Sequence, residues 1–328
     1  MRNPARAALA FTAPLLAGAL LAATPAHAQQ YPARTIRLIV DTSPGGITDL
    51  LARLSSEGLA QRTGQQVVVE NKPGASGVVA VDFIAKAPPD GYTLLMAAGG
   101  NIVVQPFLMK SLPYDPATDI IPVFNVGEVA HILVVPGLLP VRTLAEFVSY
   151  AKANPGKVSY GSAGIGSPPH LSMELLARSA GLQLVHIPYK GVGTAAPDLI
   201  SNRIQALSIG LGSAGGHLKT GAMRALATGA DKRLSALPDL PTSAEAGVPG
   251  WKMSAWFGIF APKGTSPEVI RVLNERMQSV IDDPRSKQRM FDIGAEAIGG
   301  PQPAFAERMR GDFKLWGQVI RDANIKME

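Results

Sequence analysis

The stretch "IRLIVDTSPGGITDLLARL" (residues 36–54) joins an apolar strand to an amphipathic helix through a Pro-Gly-Gly turn. "IRLIV" is a short apolar run typical of a buried strand, and a helical period begins at about Ile47. The turn lacks the Gly-Lys-Ser/Thr that a phosphate-binding loop carries after four intervening residues. Two interpretations remain: a compact strand–helix connection, or a turn that presents bare backbone N–H groups to a ligand.

The start of this helix is chemically suited to a carboxylate. The first N–H groups of a helix have no partner within it and carry the positive end of its dipole. Gly45 and Gly46 allow a tight turn and close approach by a ligand, so a carboxylate is a natural guest. Thr48 and Asp49 lie in the first helical turn. Asp49 either favours the dipole, fixes a water or receives an ammonium group.

A second stretch, "YGSAGIGSPPHL" (residues 160–171), repeats the plan of strand, glycine-rich loop and helix start. Its prolines stand at the helix entrance, where proline is tolerated. Its candidate donors are Ser162, Ser167 and the N–H groups of Ala163, Gly164 and Gly166. His170 follows in the first turn, either as a donor to a carboxylate or as a structural cap partner. Two helix starts facing one cleft favour a ligand with an anionic group at each end, such as a dicarboxylate.

Strands and helices alternate along the chain, and the strands read as continuous apolar runs. This pattern predicts an α/β fold with parallel sheets covered by helices on both faces. One set of strands and helices is complete before residues 127–130, and a second set follows. The stretch "WKMSAWFGIFAP" (residues 251–262) then interrupts the pattern before two terminal helices. We expect two doubly wound lobes, residues 29–127 plus 251–328 and residues 128–250, with a two-segment hinge and a ligand cleft between them.

The amino terminus predicts export. Residues 1–28 have two arginines, an apolar run and an Ala-His-Ala site, as expected for a cleaved secretory signal peptide and a periplasmic protein. The chain has no cysteine, which rules out a lipid anchor and disulfides. Removing the signal arginines takes the formal net charge from +6 to +4. This mild charge, without a basic cluster interleaved with aromatic residues, argues against nucleic-acid binding.

A rival motif is the formal G-x-G-x-x-G of Gly210, Gly212 and Gly215, with Asp231 ending the next strand. Three features argue against a dinucleotide site. The helix expected after it, at about residues 216–221, is very short. The motif also lies late in the second lobe, and an exported protein meets little nicotinamide cofactor. We therefore expect no cofactor, although this loop can still line the cleft with Ser213.

Catalytic and metal-binding patterns are missing from the sequence. The chain has no G-x-S-x-G, no H-E-x-x-H and no cysteine nucleophile. His170 and Glu174 stand four residues apart, as metal ligands do, but no third ligand accompanies them. The sequence therefore predicts a protein that is neither an enzyme nor a metal-binding protein.

Segments along the whole of residues 31–325 together resemble one known family, the extracytoplasmic solute receptors of the tripartite tricarboxylate transporter system, also called Bug receptors. The matching segments are "YPARTIRLIV", "PGGITDLLARL", "GQQVVVENKPGASGVVAVDFIAKAPPDGYTLLM", "LPYDPATDIIPV", "HLSMELL", "VHIPYKG", "MRALATGADKRLSALPDLPTSAEAG" and "SAWFGIFAPKGTSPEVIRVLN".

The resemblance implies a type II periplasmic binding-protein fold whose lobes close on a small carboxylate and deliver it to membrane permease subunits. It also implies that backbone amides, hydroxyls and bridging waters hold the carboxylates. The implied binding residues are Ser43, Pro44, Gly45, Gly46, Thr48, Asp49, Ser162, Ala163, Gly164, Ser167 and His170. We expect a monomer; the alternatives are a receptor that signals to a sensor kinase and an enzyme that acts on an organic acid.

The sequence departs from the family pattern at two places. Many members have Pro-Phe-Pro-Pro-Gly-Gly where this chain has "DTSPGG", so Thr42 and Ser43 replace bulkier apolar residues. Gly210 and Gly212 stand where many members carry an acidic or amide side chain. Both changes predict a roomier cleft that also admits an aromatic dicarboxylate.

Overall fold

The computed structural model describes residues 31–189 and 191–325, so the expected signal peptide lies outside the described residues. These residues form ten strands, eleven α-helices and one short 3-10 helix (Ala75–Gly77). The strands are β1 (Ile36–Val40), β2 (Val67–Asn71), β3 (Thr93–Ala98), β4 (Ile120–Pro136), β5 (Val158–Ser162), β6 (Leu184–Pro188), β7 (Ala206–Gly210), β8 (Met223–Thr228), β9 (Ser254–Pro262) and β10 (Glu296–Ala297). The helices are α1 (Ile47–Thr63), α2 (Val78–Ala85), α3 (Gly99–Val103), α4 (Gln105–Leu108), α5 (Leu144–Ala153), α6 (Pro168–Ala180), α7 (Val192–Ile200), α8 (Leu211–Lys219), α9 (Pro267–Asp282), α10 (Pro284–Asp292) and α11 (Gln302–Asp322).

The first lobe is a sheet in which β1 pairs in parallel with β2 and β3, while β9 lies antiparallel between β3 and β4. The second lobe is a sheet in which β5 pairs in parallel with β6 and β7, while β4 pairs antiparallel with β7 and β8. The expectation of parallel sheets is therefore wrong for β4, β8 and β9. These strands lie where the two lobes meet, and strands that run back and forth between lobes pair antiparallel.

The long strand β4 belongs to both lobes. Its residues up to Ala130 pair with β9, and from His131 onward they pair with β7. The chain returns near Met253, where His131 N–H donates to Met253 O (3.1 Å) and Gly229 N–H donates to His131 O (2.9 Å). A Cβ on Gly229 would lie 2.7 Å from Met253 N, so only glycine allows these segments to cross so closely. This crossing is the two-segment hinge of a type II periplasmic binding-protein fold. The predicted lobe bounds, 127/128 and 250/251, stay a prediction.

A buried polar chain ties the hinge to the second lobe. His131 Nδ1 lies 3.1 Å from Ser208 Oγ, which lies 2.6 Å from Ser172 Oγ. Trp251 Nε1 donates to the carbonyl oxygen of Ser172 (3.1 Å). Burial lowers the pKa of His131 to about 4, so its imidazole is neutral at neutral pH.

The C-terminal helices hold the first lobe together. Helix α9 packs against α1, and both α9 and α11 pack against β4. The contact between α1 and α9 is close because a Cβ on Gly58 would lie 2.4 Å from Val280 Cγ1. This packing fixes the axis of α1 and hence the direction in which its N-terminus points. Among the described residues, no helix is long and apolar enough to cross a membrane.

Candidate functional site

The Pro-Gly-Gly turn is exposed at the carboxyl end of β1, and α1 begins directly after it. Residues 43–46 are exposed, and Gly45 has a φ of +85°, a left-handed conformation that favours glycine. Gly46, the N-cap of α1, has an ordinary φ of −77° and provides no side-chain cap. Within the described ranges, the N–H groups of Gly46, Ile47 and Thr48 have no acceptor. The turn therefore presents uncompensated donors at the positive end of a seventeen-residue helix.

Asp49 stabilises the conformation of this turn through hydrogen bonds. Its side chain is 2% exposed, and Oδ2 accepts the Gly45 N–H (2.9 Å). Arg53 donates to both carboxylate oxygens at 3.0 Å, and Asn71 Nδ2 donates to Oδ1 at 2.9 Å. Burial by itself raises the pKa of Asp49, but the bonds from Arg53, Gly45 and Asn71 outweigh it and lower the pKa to about 2. Asp49 is thus a positioning residue, and Arg53 is already paired.

The loop between β5 and α6 is the counterpart in the second lobe. Gly164 N–H donates to Ser162 Oγ (3.0 Å), and Gly166 N–H donates to His170 Nδ1 (3.0 Å). Ser167, the N-cap of α6, donates its hydroxyl to Gly164 O (2.6 Å) and gives no side-chain cap to the helix. The expectation that the Gly164 and Gly166 amides are free is therefore wrong. They hold the shape of the loop, and Ala163 N–H has no acceptor in the described part of the chain.

Two stacked imidazoles, those of His170 and His186, pack against this loop and stabilise it. His170 and His186 lie with ring centroids 3.9 Å apart and planes 11° apart, and His186 Nε2 lies 2.6 Å from Ser162 Oγ. Burial, and then the neighbouring His186, lowers the pKa of His170 to about 4, and burial lowers the pKa of His186. Glu174 Oε1 accepts a hydrogen bond from Tyr160 and lies 3.9 Å from His170 Nε2. At neutral pH, both rings are neutral supports of the loop.

We expect the His170→Asn variant to lose part of the pH dependence of folding stability. His170 is neutral when folded and titrates near 6.5 when unfolded, so its contribution to stability is complete above pH 6.5 and is lost as the pH falls toward 4. Asparagine does not titrate, and its Oδ1 can replace Nδ1 as the acceptor for Gly166. Between pH 7 and 5 the free energy of unfolding of the native protein should fall by about 2 kcal/mol relative to the variant.

Urea unfolding of both proteins at pH 7, 6 and 5 measures this difference. Comparison with the variant is needed because Asp41, with a pKa raised to about 6 by burial, stabilises the fold as the pH falls and so acts in the opposite sense. A constant difference between the two proteins across this range would show that His170 is not held neutral.

The lobes meet beside the second of these loops. A cavity of about 60 Å³ is lined from the first lobe by residues of α3 and α4 and from the second by Gly166, Pro168 and Leu171. A Cβ on Gly166 would lie 2.5 Å from Leu108 Cδ1 of the first lobe, and Gly166 has a φ of +74°. The wall of the cavity is completed by Trp256 and Trp316. A larger groove of about 840 Å³ on the second lobe, between α5, β8 and residues 236–246, contains none of the predicted site residues.

The G-x-G-x-x-G segment does not form a glycine-rich loop. Helix α8 begins at Leu211, directly after β7, so Gly212 and Gly215 lie inside the helix. The expected short helix at residues 216–221 is wrong, since α8 runs from Leu211 to Lys219. The first turn of α8 packs near the first lobe: a Cβ on Gly294 would lie 3.8 Å from Gly212 Cα. A Cβ on Gly212 itself would meet no atom within 4 Å.

The predicted site residues fall into two groups by exposure. The exposed or half-buried group can touch a ligand and comprises Ser43, Pro44, Gly45, Gly46, Ala163, Gly164 and Ser167. The buried group comprises Thr48, Asp49, Ser162 and His170. Three further residues beside these loops, Asp41, Asn101 and His186, are not among the residues predicted from the sequence. The acid at the end of an apolar strand was a visible signal for Asp41. Nothing local pointed to His186, which reaches the loop from a neighbouring strand.

No group of three or more histidine or acidic side chains that could hold a metal ion occurs among the described residues. His170 and Glu174 therefore have no third ligand there. Ser162 is fully buried, so its 2.6 Å contact with His186 is not accessible to a substrate in the cleft. Two α/β lobes, a hinge of crossing strands and an uncapped helix start in each lobe define the class of two-lobed solute-binding proteins.

Residues 51–325 match the tripartite tricarboxylate transporter family receptor. A UPF0065 protein of Bordetella pertussis is 38% identical over 307 residues, which cover 94% of this chain and 95% of that protein. Protein BugT of the same organism is 36% identical over 313 residues, with 93% and 94% covered. The chain belongs to the tripartite tricarboxylate transporter receptor family, as the sequence segments predicted.

Two solved structures are similar over their whole length. Rpa4515 of R. palustris with adipate has a TM-score of 0.74 and 34% identity, covering 90% of this chain and 100% of that chain. MatC (Rpa3494) of Rhodopseudomonas palustris with bound malate has a TM-score of 0.69 and 30% identity, covering 88% and 100%. Both of these proteins hold a dicarboxylate.

Proposed function

We propose that this protein is a periplasmic receptor that captures a small di- or tricarboxylate, aromatic ones included, between its two lobes. The observation that carries the proposal is the uncapped start of α1. Its N–H groups at Gly46, Ile47 and Thr48 have no acceptor among the described residues, and the nearby Arg53 is already paired with Asp49. A carboxylate satisfies such donors without a basic side chain. The adipate and malate held by similar structures support the ligand class.

The second lobe is proposed to hold the other end of the ligand. Ser167, Ala163 and Gly164 line the outer part of its loop, while Ser162 and His170 keep the loop in shape. The cavity between α3 and Gly166 is where this second loop faces the first lobe. Lobe closure then presents a ligand-dependent surface to the permease subunits of a tripartite tricarboxylate transporter.

We further infer that the receptor is monomeric, reaches the periplasm through cleavage after residue 28 and performs no chemistry. The absence of a conversion is supported by the buried position of Ser162.

A thermal-shift screen tests the ligand class, followed by calorimetry and by mass spectrometry of the incubated ligand. The panel contains succinate, malate, adipate, citrate, phthalate and terephthalate, with neutral amides of the same acids as controls. At least one di- or tricarboxylate should raise the melting temperature, and its amide should not. A response only to aliphatic acids would remove the aromatic ligands from the proposal. Stabilisation by the amides alone, or appearance of a product, would contradict the proposed receptor function.

A further inference from the structure

Asp41 lies at the carboxyl end of β1, immediately before the binding turn, and only half of its carboxylate is used. Its backbone N–H still donates to Met96 O of β3 (3.4 Å), so the residue continues the sheet. Its Oδ2 accepts from Asn101 Nδ2 (2.8 Å) and from the Ala98 N–H (3.3 Å), at the start of α3. Asn101 also lines the cavity between the lobes. Asp41 thus links the turn before α1 to the wall of the cleft.

The other oxygen, Asp41 Oδ1, is buried without a hydrogen-bond partner within the described residues. The residue is 2% exposed, and none of the ion pairs formed in the described part of the chain includes it. Thr42 Oγ1, on the next residue, is also buried without a partner. It lies 4.0 Å from the position that a Cβ on Gly46 would take, beneath the N-cap of α1. Unpaired buried polar atoms are costly, and a carboxylate oxygen is among the costliest.

In the part of the chain that the structure describes, no basic side chain acts on the pKa of Asp41. Tyr114 is a titratable group whose pKa responds to the charge of Asp41. Burial first, and then the charges of Asp82 and Asp41, raise the pKa of Tyr114 to about 12. Burial raises the pKa of Asp41 itself to about 6, against the lowering effect of its bonds to Asn101 and Ala98. The carboxylate is therefore mostly ionised at neutral pH, with an acceptor that lacks a donor.

The contrast with Asp49 shows that this arrangement is not a general property of the turn. Asp49 receives the Gly45 N–H, two bonds from Arg53 and one from Asn71. Both carboxylate oxygens of Asp49 therefore accept hydrogen bonds, whereas only one oxygen of Asp41 does. A ligand group that donates to Asp41 Oδ1 would give the other Asp41 oxygen its hydrogen bond.

We propose that Asp41, with Thr42, selects ligands that carry a hydroxyl or ammonium group next to the carboxylate held by α1. This rests on the proposed function, because the carboxylate is placed on the free amides of Gly46, Ile47 and Thr48. The neighbouring donor reaches Asp41 Oδ1 through a movement of the exposed residues 43–45, while the Gly46, Ile47 and Thr48 amides keep the carboxylate. A plain dicarboxylate lacks this donor and leaves Oδ1 unpaired beside a second negative charge. The selected class is 2-hydroxy and 2-amino dicarboxylic acids.

Calorimetry with matched ligand pairs at pH 7.5 tests the proposal. The pairs are succinate with malate and aspartate, and adipate with 2-aminoadipate, so each differs by one donor. The native protein should bind the donor-bearing member at least about tenfold more tightly, as expected for a hydrogen bond to a charged group. The Asp41→Asn variant should reduce this preference to less than about threefold, because plain dicarboxylates bind more tightly without the second negative charge and donor-bearing ligands lose their charged acceptor. Retained binding of plain dicarboxylates also shows that the variant is folded.

Equal affinities within each pair in the native protein, or an unchanged preference in Asp41→Asn, would overturn the proposal. If no carboxylate in the panel binds the native protein, the proposed function fails, and this inference fails with it.

Discussion

Replacement of Gly46 with tryptophan is expected to lower the affinity for the carboxylate ligand by a factor of about a hundred or more. The indole covers the Gly46, Ile47 and Thr48 amides, and loss of two hydrogen bonds to a charged group costs about 3 kcal/mol or more. The fold should survive, because Gly46 has an ordinary φ of −77°. A Cβ there meets only Ser43 O at 3.7 Å and Thr42 Oγ1 at 4.0 Å, which are normal contacts.

Gly311→Trp is the matched control. Gly311 is exposed within α11, has no atom within 4 Å of its Cβ position and lies outside the predicted site. Both variants should unfold within about 2 °C of the native protein, as surface substitutions usually do. Calorimetry should then show lost binding for Gly46→Trp alone. If Gly46→Trp binds as tightly as the control, the Pro-Gly-Gly turn is only a structural connection.

Replacement of Gly166 with alanine is expected to weaken ligand binding about tenfold to a hundredfold by holding the lobes apart. The new Cβ would lie 2.5 Å from Leu108 Cδ1, across the contact between the lobes. Overpacking of this kind typically costs about 1–3 kcal/mol, which corresponds to that range of affinity. The Gly166→Ala/Leu108→Ala double variant removes the colliding side chain and should recover most of the lost affinity.

Gly181→Ala separates this effect from backbone strain. Gly181 also has a positive φ (+64°) but ends α6 in open space, so the variant suffers the same kind of strain without touching the first lobe. Its affinity should match that of the native protein. Equal losses in Gly166→Ala and Gly181→Ala, or no recovery in the double variant, would mean that the contact between Gly166 and Leu108 has no part in closure.

Local pattern was sufficient to predict α1, both glycine-rich turns and two of the three C-terminal helices, α9 and α11, but not α10 or the strands of the hinge. Strand β4 has Pro122 and Gly127 in its first half, where proline and glycine usually mark a break. The structure accommodates both at irregularities in the pairing with β9. Helix α8 was misjudged for a similar reason, because Gly212 and Gly215 have poor helix propensity and tertiary packing overrides it.

The candidate site was predictable only as far as short-range chemistry extends. The pairing of Asp49 with Arg53 follows from their spacing of four residues in one helix. The bond from Asn71 to Asp49 joins elements 22 positions apart and depends on the register of β1 and β2. The bonds that occupy the Gly164 and Gly166 amides, and the stacking of His170 on His186, likewise depend on the folded loop and on a neighbouring strand. Sequence spacing does not contain this information.

The central claim is that the free amides at the start of α1, together with the loop before α6, hold the ligand's carboxylates without a basic side chain. A crystal structure of the protein with a dicarboxylate from the screen tests this most directly. We expect one carboxylate within hydrogen-bond distance of the Gly46, Ile47 and Thr48 amides and the other at the loop of residues 162–167. A ligand bound elsewhere, or held mainly by lysine or arginine side chains, would contradict the account.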